Sequence, residues 1–171
     1  MKNLVLIGFM GCGKSTLAEE LSKICGRFVL DSDKVIEQSS GISVKEFFAR
    51  FGEKTFRKKE GEFVSWVESS VRGAIIATGG GMPIYHDLKS MGKVVFLSIS
   101  FEAICARLSQ QDYDSRPLFA NLSQAKELFL ARQESYKAQA DIILDATSQD
   151  LAQRVLEQCA LLPKATLDKN L

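Results

Sequence analysis

Gly8-Phe9-Met10-Gly11-Cys12-Gly13-Lys14-Ser15, followed by Thr16, carries the clearest chemistry in the chain. Its spacing is G-x-x-x-x-G-K-[ST], that of a loop whose backbone amides cradle phosphates. The glycines let the chain curl so that successive N–H groups point inward. A helix that starts at the end of the loop adds positive potential at the same place. Gly11, Cys12, Gly13, Lys14, Ser15 and Thr16 are therefore the expected nucleotide-binding residues. Lys14 can reach β- and γ-phosphates, and Ser15 can place its hydroxyl on Mg²⁺. Cys12 lies inside the loop, but no catalytic role is assigned to it.

Three other clusters could act with such a loop. Asp31-Ser32-Asp33 reads as the end of a strand, where alternation puts both carboxylates on one side and Ser32 on the other. One carboxylate can support Mg²⁺ and the other can orient or deprotonate an attacking hydroxyl. A helix cap or a solvated turn is the plain alternative. Thr78-Gly79-Gly80-Gly81 concentrates three glycines. Their entropic cost calls for a close approach, either of a small polar ligand or within a tight strand-to-helix turn. Phosphate-loop proteins often carry an acidic residue where Thr78 stands, which makes Asp31 the candidate metal carboxylate.

Arg57 and Arg132 can each grip a carboxylate through two parallel hydrogen bonds, or can be ordinary surface charges. Glu60, the polar member of an otherwise apolar helical stripe, is placed to pair with Arg57 at i+3. Arg116-Pro117 sits in the polar stretch after Gln110, read as a mobile loop, and can bring a cation over a transferring phosphoryl group. His86 reads as a surface or helix-start residue, and Trp66 and the phenylalanines read as core.

These clusters need a frame. Leu4–Ile7, Arg27–Leu30, Ala74–Ala77, Val94–Ile99 and Ile142–Leu144 read as strands. Ser15–Cys25, Val44–Phe51, the stretch from Phe56 to Val71, Phe101–Leu108, Ser123–Ala138 and Asp150–Leu161 read as helices, with a break at Gly52 and a cap at Ser123. Alternating strands and helices predict α/β architecture, a parallel sheet covered by helices on both faces. In such sheets ligands bind beyond the carboxyl ends of the strands, where all three polar clusters fall.

The 171 residues suit one domain, expected to run from 1 to 162 with a polar tail at 163–171. With 22 Lys+Arg against 21 Asp+Glu there is no global field for nucleic acid or a membrane surface, so any anion site must be local. No apolar run is long enough to span a bilayer. Cys12, Cys25, Cys105 and Cys159 are scattered without metal-ligand spacing, and a reducing, cytoplasmic setting is expected.

Taken together, the phosphate loop, Asp31-Ser32-Asp33, Gly52-Glu53 with Phe56-Arg57-Lys58-Lys59-Glu60, Gly79-Gly80-Gly81, Arg116-Pro117-Leu118 and Arg132…Tyr136 resemble the shikimate kinase family, in its order and over nearly the whole chain. The resemblance implies a fold like that of nucleoside monophosphate kinases, a three-layer α/β/α arrangement about a five-stranded parallel sheet. It implies a lid at about 109–122 and a substrate-binding segment at about 32–61. It also implies Mg²⁺-dependent transfer of the γ-phosphoryl group of ATP to the 3-hydroxyl of shikimate, on the route to the aromatic amino acids. Carried over by position, Asp33 binds the shikimate hydroxyls and acts as base. Arg57, Gly79, Gly80, Gly81 and Arg132 complete the shikimate site. Ser15 and Asp31 serve Mg²⁺, Lys14 and Arg116 serve the phosphates, and Arg107 stacks on adenine. The stretch from Arg107 to Arg116 is longer than is usual in the family. A monomer is expected.

Two rivals stay open on sequence. A gluconate kinase would share the loop and the need for an acceptor hydroxyl. A GTP-dependent switch would need Asn-Lys-x-Asp for guanine, a tetrapeptide this chain does not contain.

Overall fold

The computed structural model describes residues 1–108 and 117–161. The expected mobile loop after Gln110, with Arg116 and most of the lid, lies outside the described residues, as does the tail at 163–171.

The first strand, β1 (Asn3–Ile7), is buried along its whole length, as a run apolar on both faces requires. It feeds the loop and then α1 (Lys14–Cys25), which buries Leu17, Ala18, Leu21 and Cys25 on one side and is closed by Gly26 in a left-handed conformation. β2 (Val29–Asp31) is short and begins two residues later than the apolar pattern suggests. The next element, α2 (Ser32–Ser40), has no counterpart in the sequence reading. Its polar face hides the helical period, and Asp31, the end of β2 as the sequence suggests, is also its N-cap.

α3 (Val44–Ser70) is capped by Ser43 and kinked at Gly52, whose φ of 74° and ψ of 168° no ordinary helical residue adopts. β3 (Ile75–Ala77) leads through the glycine run into the single turn α4 (Met82–Tyr85). β4 (Gly92–Ser98) and α5 (Phe101–Arg107) follow. A 3-10 turn, Pro117–Ala120, precedes α6 (Leu122–Gln139). The N-cap of α6 is Asn121, whose side chain accepts from the Gln124 amide at 3.2 Å, and not Ser123. β5 (Ile142–Asp145) and α7 (Leu151–Gln158) complete the described chain.

The five strands are parallel, in the order β2-β3-β1-β4-β5. The register sets Asp31 beside Ala77 and Ala77 beside Leu6. The turns that leave β2, β3 and β1 therefore emerge side by side. At the opposite, amino-terminal end of the strands, Asn3 is buried and ties three segments together. Its Nδ2 donates to Val71 and Met91 carbonyls at 2.9 Å each, and its Oδ1 accepts from Ala74 at 3.0 Å.

The main core fills both faces of the sheet. Ile36, Phe47 and Phe56 form a separate small core joining α2 to α3. Not every aromatic residue is core: Phe28 is 87% exposed, Phe51 54% and Trp66 44%. The Trp66 ring lies 5.9 Å from that of Phe63, tilted by 55°. Among the described residues, no helix is long and apolar enough to cross a membrane.

Candidate active site

The phosphate loop is built as its sequence demands. Gly8, Gly11 and Gly13 have φ values of 143°, 81° and 102°, a region that L side chains avoid. Gly13 is the N-cap of α1 and has no side chain to satisfy the first amides, so those amides stay free for an anion. Lys14 is 8% exposed and folds back over the loop, donating to the carbonyls of Gly8 at 2.7 Å and Phe9 at 3.0 Å. Cys12 is buried, with its sulfur in the space a side chain at Gly8 would need.

Asp31 has two duties. Oδ1 accepts from the amides of Asp33 and Lys34, capping α2, while Oδ2 accepts from the Ser15 hydroxyl at 3.0 Å. Asp31-Ser32-Asp33 does not alternate as a strand, contrary to expectation, because the chain turns into a helix after Asp31. Ser32 is fully buried and its hydroxyl accepts from the Gly79 amide at 2.8 Å, which locks the glycine run to α2. Asp33 faces the same run. Burial, with the charges of Asp31 and Glu60 adding to it and Lys14 opposing, pushes its carboxyl up to about 6.

Each glycine of the run clears a different neighbour. A methyl group on Gly79 would meet Asp33 Oδ1 at 2.6 Å, one on Gly80 the Met10 amide at 3.3 Å, and one on Gly81 the Arg57 guanidinium at 2.6 Å. The entropic cost of the three glycines is thus answered by space. Thr78 is pinned to the Leu6 carbonyl through its hydroxyl at 3.1 Å.

Arg57 is the most constrained side chain of the group. It binds Glu60 at 2.8 Å and Glu53 at 2.7 Å, and its guanidinium lies 4.3 Å from the centre of the Tyr85 ring. Phe48 and Phe56 approach it at 5.8 and 5.6 Å. The Tyr85 hydroxyl donates in turn to Glu53 at 3.1 Å. Glu60 is 1% exposed, and burial raises its carboxyl against the opposing pull of the Arg57 hydrogen bond. Glu53 is held below its usual range, first by the hydrogen bond from Arg57, with the charge of Arg132 in support. Arg132 projects from α6 with its guanidinium 6.0 Å from the Phe9 ring. One turn on, the Tyr136 hydroxyl donates to the Gly80 carbonyl at 2.6 Å, and burial raises its pKa.

A cleft of about 600 Å³ runs past loop residues 10–16, Asp31, Asp33, Gly79 and Gly80 to Arg107 and the segment after β5. Arg107 is anchored there by the carbonyls of Ala146 at 2.9 Å and Cys12 at 3.4 Å.

The sequence profile of shikimate kinase matches residues 10–160. Shikimate kinase from Helicobacter hepaticus is 44% identical over 159 residues, 92% of this chain and 95% of that protein. The chain belongs to the shikimate kinase family. Among solved structures, the shikimate kinase from Acinetobacter baumannii in complex with shikimate is 30% identical with a TM-score of 0.81, covering 94% of this chain and 93% of that one. The shikimate kinase from Aquifex aeolicus is 32% identical with a TM-score of 0.75, covering 93% and 94%.

As a member of the shikimate kinase family, the chain is an ATP-dependent kinase, and its sheet is the one the family resemblance implies. Two residues around this site carry little signal in the sequence. Ser32 looked like a spacer between carboxylates, although a polar residue at a strand end is a candidate for holding the next strand. Tyr85 gave no signal, because its contact with Arg57 joins α4 to α3 across the fold.

Proposed function

We propose that this chain transfers the γ-phosphoryl group of ATP to the 3-hydroxyl of shikimate. The observation that carries the reading is Arg57. Two carboxylates, three aromatic rings and the missing side chain of Gly81 fix its guanidinium at one end of the glycine run whose other end, Gly79, faces Asp33. A cation so fixed suits a planar organic acid, which it can meet with parallel hydrogen bonds.

In this reading the free amides of the loop and α1 hold the phosphates. Lys14 moves from the Gly8 and Phe9 carbonyls onto phosphate oxygen. Arg57 and Arg132 hold the acceptor carboxylate, while Gly79, Gly80 and Gly81 form the wall beneath it. Asp33 receives the hydroxyl hydrogen bond and takes the proton as the oxygen attacks, a role suited to a carboxyl with its value near 6. Arg116, outside the described residues, is assigned to the phosphates, and Arg107 to adenine. Phosphoryl transfer asks mainly for positioning and charge neutralisation, which these groups supply.

Ser15 and Asp31 fit Mg²⁺. Their oxygens stand 3.0 Å apart at the mouth of the loop. Mg²⁺ is commonly held by one or two protein oxygens, with its other ligands from phosphate and water. Mg²⁺ bound there would neutralise charge on the phosphates. We assign the enzyme to the cytoplasm, as a monomer acting on small molecules, with no nucleic-acid or membrane partner.

A coupled ADP-release assay with ATP and Mg²⁺, run with shikimate and with gluconate, tests the reading. Turnover of shikimate is expected; faster turnover of gluconate would overturn it.

A further inference from the structure

Behind Arg57 lies a buried polar contact that the reaction does not use. Glu60 Oε1 and His86 Nε2 are both buried and both lack a hydrogen-bond partner. His86 Nε2 stands 3.7 Å from Glu60 Oε2, the oxygen that binds Arg57. At that distance no hydrogen bond exists, yet leaving two buried polar atoms unpaired is costly. A closer approach, with one proton between them, satisfies the ring nitrogen and gives the carboxyl a second partner.

The surroundings are arranged for that approach. The ring lies against α3 at Gly61, where an added methyl group would stand 3.3 Å from its Cε1. The backbone of His86 is held on both sides: its amide donates to Met82 at 3.1 Å and its carbonyl accepts from Gln139 at 2.8 Å. Contrary to the surface or helix-start expectation, His86 is the C-cap of α4, with a side chain 19% exposed.

We propose that His86 is a positioning residue for acceptor binding: by closing on the Glu60 carboxyl it fixes Glu60 on Arg57, and Gly61 supplies the room. The inference rests on the role of Arg57 in holding shikimate. It predicts a defect centred on the acceptor, because the contacts of the pair among the described residues run to Arg57 and Gly61 and not to the phosphate loop.

Steady-state kinetics of the wild type, His86→Leu, His86→Gln and Gly61→Ala test it, with shikimate and ATP varied in turn. His86→Leu should raise the shikimate KM roughly tenfold, the cost of one hydrogen bond to a charged group. The ATP KM and kcat should stay within about twofold. His86→Gln, whose amide can both donate and accept, should restore most of the affinity. Gly61→Ala keeps the imidazole and adds a better helix former, so it folds even where His86→Leu does not, and it should raise the shikimate KM in the same direction. An unchanged shikimate KM in Gly61→Ala and His86→Leu, a loss shared equally by both substrates, or no recovery in His86→Gln would each overturn the proposal. If the wild type turns over shikimate and the variants match it, this inference alone falls. If the wild type does not turn over shikimate, the proposed function falls and takes this inference with it.

Discussion

The guanidinium of Arg57 occupies the volume that a side chain on Gly81 would need: a methyl group there would lie 2.6 Å from Nη1 and 2.7 Å from Nη2. Gly81 has an ordinary right-handed conformation, with φ −89° and ψ −25°, so alanine would not strain the backbone. Gly81→Ala should therefore act through Arg57 alone. The expected result is a shikimate KM at least about tenfold higher, with ATP binding unchanged by isothermal titration. A fall in ATP affinity would place the glycine in the nucleotide site.

Arg57→Ala should have two separable effects. Loss of charge-assisted bonds worth about 1.5–3 kcal/mol should raise the shikimate KM by one to two orders of magnitude. It also leaves Glu60 buried without its partner, which should lower stability by about 3–5 kcal/mol in urea unfolding. Adding Glu60→Gln should recover part of that stability and none of the affinity. An unchanged acceptor KM would contradict the role assigned to Arg57.

Asp33 gives a pH prediction of definite sign. Its folded value, about 6, lies above the ordinary 3.8, so the ionised carboxyl destabilises the fold above about pH 6 and has no such effect below the unfolded value. Asp33→Asn should be more stable than the wild type at pH 8 by roughly 2–3 kcal/mol, the difference fading as the pH falls to 4. In the wild type, kcat/KM for shikimate should decline below about pH 6 as the base is protonated. Thermal melts and a pH–rate profile measure both. A flat profile from pH 5 to 8 would remove Asp33 from proton transfer.

The two oxygens of Asp31 can be tested apart. Asparagine caps a helix as well as aspartate does, so Asp31→Asn should melt within about 2 °C of the wild type. Removing the charge beside Ser15 should raise the Mg²⁺ concentration for half-maximal activity several-fold. Equal Mg²⁺ dependence in the two proteins would confine Asp31 to capping.

Much of this was legible in the residues, for reasons that differ by element. β1 and the loop declare themselves, because a run apolar on both faces followed by spaced glycines has few other uses. Glu60 stood out as a carboxylate in an apolar stripe, and its pairing with Arg57 is local in sequence. α2 was hidden because Asp31, Ser32 and Asp33 are as common in turns as at helix starts, and its buried positions, Ser32 and Ile36, are too few to set a period. Asn121 and Ser123 are both capping types two positions apart, and propensity alone does not choose between them. His86 and Tyr85 take their meaning from α3, a relation that becomes visible only in three dimensions.

The ammonium of Lys14 already has partners, the carbonyls of Gly8 and Phe9. On the role proposed for Lys14, incoming phosphate exchanges with them instead of meeting a bare cation. The exchange softens the grip on the spent nucleotide, since the loop can reclaim its own lysine as the diphosphate departs. A residue usually credited with capture is thus equipped for release, the step an enzyme needs in order to begin its next cycle.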